Sequence, residues 1–173
     1  KGETKTLIIS SPKQGFIRLL DNSLKNKDDF YLGKHRMTNE QVKVFKPQLK
    51  GRFITSTPIV LYEENRQNRY YSFKKGNDFS FFLKRLKDNA LKKYNAYYGL
   101  RYDFDGNLFD SFQFDREVAV RVKKTNKMFL VIGSLWKNLE KFNMDDKNFY
   151  NFIMDCGLGE KNSLGFGMIN TVG

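Results

Sequence analysis

Apolar residues recur at two different periods along this chain, and the switches between them mark out its elements. Phe16, Leu19, Leu20 and Leu24 keep a helical spacing after Ser11-Pro12, an N-cap followed by proline. They predict an amphipathic helix over residues 12–26. Thr6 to Ser10, before it, is a short β-rich run. Phe30 to Phe45, after it, reads as one extended segment in which Val42 and Val44 alternate with Gln41 and Lys43. Pro47, Gly51 and the charges between them read as a linker.

Beyond the linker, Ile54–Glu63 and Arg69–Phe73 predict a hairpin across the polar tip Asn65-Arg66-Gln67-Asn68. Asn77 or Asp78 should cap the longest helix, whose apolar face is Phe79, Phe82, Leu83, Leu86, Ala90 and Tyr94 and which Gly99 ends. Lys84, Arg85, Lys87, Lys92 and Lys93 lie toward its other sides, where a solvated face is the plain reading. Residues 111–123 and 127–135 predict a second hairpin, with Arg116 and Arg121 on its first strand and a turn carrying Lys123, Lys124 and Lys127. Asp145 or Asp146 should cap a last helix bearing Phe149, Phe152, Ile153 and Cys156, before a final strand Phe166-Gly167-Met168-Ile169. The fold class predicted is α+β: residues 51–173 form a complete ferredoxin-like (RRM-like) unit. Residues 1–50 are a strand–helix–strand remnant of a first, incomplete one, giving tandem domains. Lys1 to Lys5 reads like a hairpin turn, so a preceding segment is expected.

Charge changes the picture. With 31 Lys+Arg against 19 Asp+Glu the net charge is +12, which calls for a polyanionic partner, nucleic acid before an anionic membrane. Seventeen Phe and nine Tyr exclude a disordered basic tail and supply base-stacking surfaces. Cys156 is the single cysteine, so no intrachain disulfide forms and a cytoplasmic location is expected. No apolar stretch reaches the length of a membrane span.

The last helix and last strand are joined by a glycine-rich loop, Gly157-Leu158-Gly159-Glu160-Lys161-Asn162-Ser163-Leu164-Gly165-Phe166-Gly167. Such spacing lets a backbone approach a large anion, with Lys161 at a phosphate; the plainer reading is a helix C-cap and a tight turn. A P-loop is excluded because Lys161 is mid-loop between helix and strand, and a dinucleotide fingerprint because Asn162 stands where its third glycine belongs. Leu164 stands where an RRM motif has a basic residue.

The run from Gly157 to Gly173 resembles the C-terminal signature of the CRISPR-associated repeat-RNA endoribonucleases. Thr57-Pro58-Ile59-Val60-Leu61 and the helix ending Tyr97-Tyr98-Gly99 are also similar to that family's second domain. The resemblance implies two ferredoxin-like units with CRISPR repeat RNA (precursor and mature crRNA) bound along them. It also implies cleavage by ribose 2′-hydroxyl attack, without metal or other cofactor, and product retained among the subunits of an effector complex. A homodimer is a further candidate assembly.

Gly157, Gly159, Gly165 and Gly167 match the family's glycines, and Lys161, Asn162 and Ser163 its polar middle. Independently of the family, the charge on the second hairpin suits Arg116, Arg121, Lys123, Lys124 and Lys127 to RNA phosphates, a soluble turn with ordinary lysines being the plain alternative. The histidine usual for general acid–base work in the family belongs to a segment expected before Lys1. His35 matches no such position, so no catalytic residue is assigned. Asp103, Asp105 and Gly106 form a turn rather than a calcium loop, and one Cys with one His make a zinc site a poor reading. The rivals are a non-cleaving holder of the guide-RNA hairpin and a generic ferredoxin-like RNA-binding module. A membrane-surface protein is disfavoured, because no stretch pairs a basic face with an uninterrupted apolar one.

Overall fold

The computed structural model describes residues 3–63, 69–76, 78–124 (Lys124 by its backbone alone) and 127–172. The expected turn at Lys1-Gly2, the tip Asn65-Arg66-Gln67-Asn68, Asn77 as a cap and the turn residues Thr125-Asn126 lie outside them. The chain divides into two compact units, Lys1–Pro47 and Gln48–Gly173.

The first unit contains α1 (Gln14–Lys25) and a hairpin of β1 (Asp29–Leu32) with β2 (His35–Thr38). The segment expected to run extended from Phe30 to Phe45 therefore folds back at Gly33, whose φ of 61° suits a tight turn, and residues 39–45 form no strand. Nor does Thr6 to Ser10 form one. Asn39 secures the hairpin to the end of α1, its Nδ2 donating to the carbonyls of Leu24 (3.0 Å) and Lys27 (2.8 Å). The helix begins later than expected: Ser11 Oγ accepts from the Lys13 N–H at 3.2 Å, a local turn that precedes the first helical residue. No residue of α1 is buried, and Phe16 and Leu19 on its stripe are exposed.

The second unit runs β3 (Arg52–Thr55), α2 (Phe79–Tyr98), β4 (Ser111–Lys124), β5 (Lys127–Glu140), α3 (Lys147–Cys156) and β6 (Ile169–Thr171). Its antiparallel sheet has the order β4-β5-β3-β6, the ferredoxin-like arrangement of a βαββαβ chain. The long helix starts where Asp78 Oδ1 accepts from the Ser80 N–H (3.0 Å) and stops at left-handed Gly99. Asp146 caps α3 through the Phe149 N–H at 2.9 Å. Phe82, Leu86, Ala90 and Tyr94 of α2 meet Phe149, Phe152 and Ile153 of α3 over Phe53, Trp136 and Leu139 of the sheet, and these aromatic and aliphatic side chains form the core.

Two predicted strands are shorter than the sequence suggests. At Thr55 the side-chain hydroxyl takes up the Trp136 backbone, accepting from its N–H at 2.7 Å, so β3 stops there and the chain rejoins β5 only at Ile59, which exchanges backbone bonds with Ser134 at 2.8 and 2.9 Å. The chain beyond then pairs as a hairpin, with the Tyr71 N–H on the Leu61 carbonyl and Tyr62 opposite Tyr70. The last strand begins at Ile169 instead of Phe166, because Gly167 has a φ of 77°.

Candidate nucleic-acid interface

The glycine loop leaves α3 at Gly157 and folds back on itself before β6. Its N–H groups at Gly157, Leu158, Glu160, Leu164, Gly165 and Gly167 donate to carbonyls of Ile153, Gly167, Val60, Lys161, Asn162 and Pro58. Met168 N–H donates to Thr57 Oγ1 at 2.8 Å. These donors are spent inside the protein, so the glycines serve first to bring backbone against backbone. A Cβ on Gly167 would lie 1.8 Å from the Leu158 carbonyl oxygen, and one on Gly159 would lie 2.4 Å from that of Val60. Gly165, by contrast, faces open space.

Asn162 closes the loop. Its Nδ2 donates to the carbonyls of Leu158 (3.0 Å) and Phe166 (2.9 Å), and its Oδ1 accepts from Lys93 Nζ at 2.9 Å. Ser163, in a 3-10 turn over Asn162–Leu164, is exposed with Gly165. Lys161 is the non-glycine residue with positive φ (60°) among those described. That conformation directs its ammonium over the rings of Tyr62, Tyr70 and Phe129, at 5.5, 5.8 and 6.0 Å. A hydrogen bond with the Tyr62 phenol raises the Lys161 pKa, against the pull of burial. Tyr62 and Tyr70 stack with centroids 5.1 Å apart, and burial raises the Tyr70 pKa.

Phe129 belongs to β5, so Lys161 stands against the β4–β5 hairpin. The two are packed together by a small cluster of Val60, Val131 and Phe166, flanked by Tyr70, Val120, Val122 and Phe129. The register pairs Val122 with Phe129, Arg121 with Leu130 and Lys123 with Met128. Side chains alternate across a strand, so Arg121 and Lys123 share one face with Met128 and Leu130, while Lys127 shares the other with Phe129 and Lys161. All of Arg121, Lys123, Lys127, Met128 and Leu130 are exposed. The Lys124 side chain lies outside the described residues; its backbone pairs with Lys127.

Arg116 is not brought to this end. It lies beside the bulge at Asp115, whose carboxylate it meets at 3.2 Å while Lys137 meets it at 3.5 Å. Eight residues of strand, about 26 Å, separate it from the end of β4. His35 starts β2 and is exposed. Among the described residues no group of three or more His, Cys, Asp and Glu is placed to hold a metal ion, and no helix is long and apolar enough to cross a membrane.

Sequence reasoning missed Lys93, Asn89, Tyr62, Tyr70 and Phe129. The sequence places Lys93 toward a solvated helix face, yet its Nζ donates to the carbonyls of Gly157 (2.6 Å) and Gly159 (2.9 Å) as well as to Asn162. Burial pulls its pKa down, and the neighbouring Cys156 and Glu160 push it back. The available signal was its spacing: it follows Asn89 by one helical turn and adjoins the apolar stripe at Ala90 and Tyr94.

Residues 40–171 match the family model described as CRISPR associated protein Cas6, C-terminal. Over 99% of its length the chain is 43% identical to the CRISPR-associated endoribonuclease Cas6 2 of Methanocaldococcus jannaschii, of which it spans 75%. It is 24% identical to the CRISPR-associated endoribonuclease Cas6 of Haloferax mediterranei, of which it spans 72%. A solved structure described as CRISPR associated protein Cas6 superposes with a TM-score of 0.68 at 25% identity, over 95% of this chain and 66% of that one. A Cas6-related protein of Pyrococcus furiosus shares the fold, with a TM-score of 0.63 at 20% identity over 94% of this chain and 65% of its own. The chain belongs to the Cas6 family of CRISPR-associated proteins.

Proposed function

We propose that this chain holds CRISPR repeat RNA at the end of its second unit where the glycine loop meets the β4–β5 hairpin, and that the protein it represents cleaves precursor CRISPR RNA within the repeat. The observation that carries the RNA-holding role is the position of Lys161 over Phe129, which joins the loop to a hairpin end with basic residues on both faces. A projection with Arg121 and Lys123 on one side and Lys127 and Lys161 on the other fits between two phosphate strands of a stem-loop. Ser163 and the exposed Gly165 turn border the same loop and would lie along the backbone. Arg116, paired with Asp115 and distant from the tip, has no part in this contact.

The cleavage reading rests on the family: the Methanocaldococcus and Haloferax relatives are named endoribonucleases. In it the ribose 2′-hydroxyl attacks the adjacent phosphate while a general base takes its proton and a general acid protonates the leaving 5′-oxygen. The test is to incubate the protein with its host's repeat RNA in excess chelator and analyse the product ends. A single cut leaving a 2′,3′-cyclic phosphate and a 5′-hydroxyl is expected. Tight binding of an intact hairpin would instead favour a non-cleaving guide-RNA holder of the same fold.

A further inference from the structure

The glycine loop is held from outside by one face of α2. Asn89 and Lys93 are one turn apart and therefore neighbours on the helix surface. Asn89 Nδ2 donates to Glu160 Oε1 at 2.9 Å. The ammonium of Lys93 reaches three acceptors of the loop, the carbonyls of Gly157 and Gly159 and Oδ1 of Asn162, at 2.6, 2.9 and 2.9 Å. An ammonium has three donors, so Lys93 is saturated by the loop and has none left for a phosphate.

The acceptors it gathers would repel one another without it. Gly157 follows the C-terminus of α3, where the helix dipole is already negative, and the Gly159 carbonyl and Asn162 Oδ1 converge on the same cation. Asn162 carries the restraint onward, because its amide also bridges Leu158 and Phe166, the two sides of the loop. Lys161 lies between Gly159 and Asn162, so both anchors beside it depend on Lys93.

Resting on the RNA-holding role argued above, we propose that Lys93 is a positioning residue for repeat-RNA binding. From α2 it holds the loop's carbonyls inward and so sets the geometry in which Lys161 and Ser163 face the RNA, without touching the RNA itself.

The experiment compares the parent protein with Lys93→Met in two measurements: affinity for the host's repeat-RNA hairpin over a salt series, and hydrogen exchange of the free protein. Lys93→Met should weaken hairpin binding about tenfold, as expected for stranding paired acceptors. The salt slope should stay at the parent's value, because no phosphate contact is lost. Amides of residues 157–167 should exchange faster while those of β4 and β5 keep the parent's rates. Unchanged loop exchange and affinity would overturn the proposal. So would a salt slope lower by about one unit, which would make Lys93 itself a phosphate contact. Should Lys93→Met fail to fold, Lys93→Gln, which keeps two donors on a shorter stem, is read by the same criteria. A parent protein that ignores the repeat hairpin would overturn both the RNA-holding role and the positioning role; the exchange comparison would still decide whether Lys93 holds the loop.

Discussion

The loop shows two kinds of glycine that one letter cannot distinguish. A Cβ on Gly167 would sit 1.8 Å from the Leu158 carbonyl oxygen, whereas one on Gly165, which also has a left-handed φ, would meet nothing within 4 Å. Gly167→Ala must therefore move the loop as well as strain its backbone, and is expected to cost about 3 kcal/mol or more. Gly165→Ala meets only the backbone penalty, about 1 kcal/mol. Urea unfolding midpoints of the two variants check this, and equal losses would contradict the packing account. The same difference explains what the sequence could show. The glycine spacing, with Lys161, Asn162 and Ser163 between, identifies a specialised loop. It does not show that Asn162 faces inward or that Lys161 lies over aromatic rings, because those partners, Tyr62, Tyr70 and Lys93, are distant in the chain.

At the level of elements, the long helix and the second hairpin were legible because each carries its own boundary chemistry. Asp78 and Gly99 delimit α2, and alternating Val118, Val120 and Val122 declare β4. The first unit is less legible: the hairpin at Gly33 looks in sequence like one extended run, since only one glycine interrupts it. The β4–β5 hairpin is anchored at its base by Asp110, which accepts from Lys141 Nζ and from the Phe142 N–H, both at 2.8 Å. Burial raises the Asp110 pKa, but those two hydrogen bonds and the positive charge of Lys141 together outweigh it and bring it below the ordinary value. A carboxyl whose folded pKa is depressed stabilises above its unfolded value of about 3.9, and that stability is lost as pH falls through the folded pKa. Asp110→Asn should therefore cost about 1 kcal/mol at pH 7 and little at pH 2, read from denaturation midpoints. An equal cost at both pH values would show that the pairing is not ionic. At the other end of the hairpin, changing Arg121, Lys123 and Lys127 together to Gln should lower the salt slope of repeat-RNA binding by roughly two to three units, each phosphate contact supplying roughly 0.7 to 0.9. An unaltered slope would leave this hairpin facing solvent.

On the scale of the whole molecule, the net charge of +12 predisposes the chain to a polyanion but does not choose a site. Basic residues also lie on α2, where Lys84 and Lys92 are exposed. The site follows from topology: antiparallel β4 and β5 extend as a long hairpin, and the βαββαβ order returns the glycine loop beside it. The second unit's ferredoxin-like order could be read in advance from periodicity, while the junction of loop and hairpin emerges only from the sheet register. The most direct measurement is a lysine-acylation footprint of the protein with and without its host's repeat-RNA hairpin, resolved by peptide mass spectrometry. The account predicts that RNA protects Lys123, Lys127 and Lys161 while Lys84 and Lys92 remain as reactive as in the free protein. Protection at Lys84 and Lys92 with none at the other three would place the RNA on the helix face and contradict it.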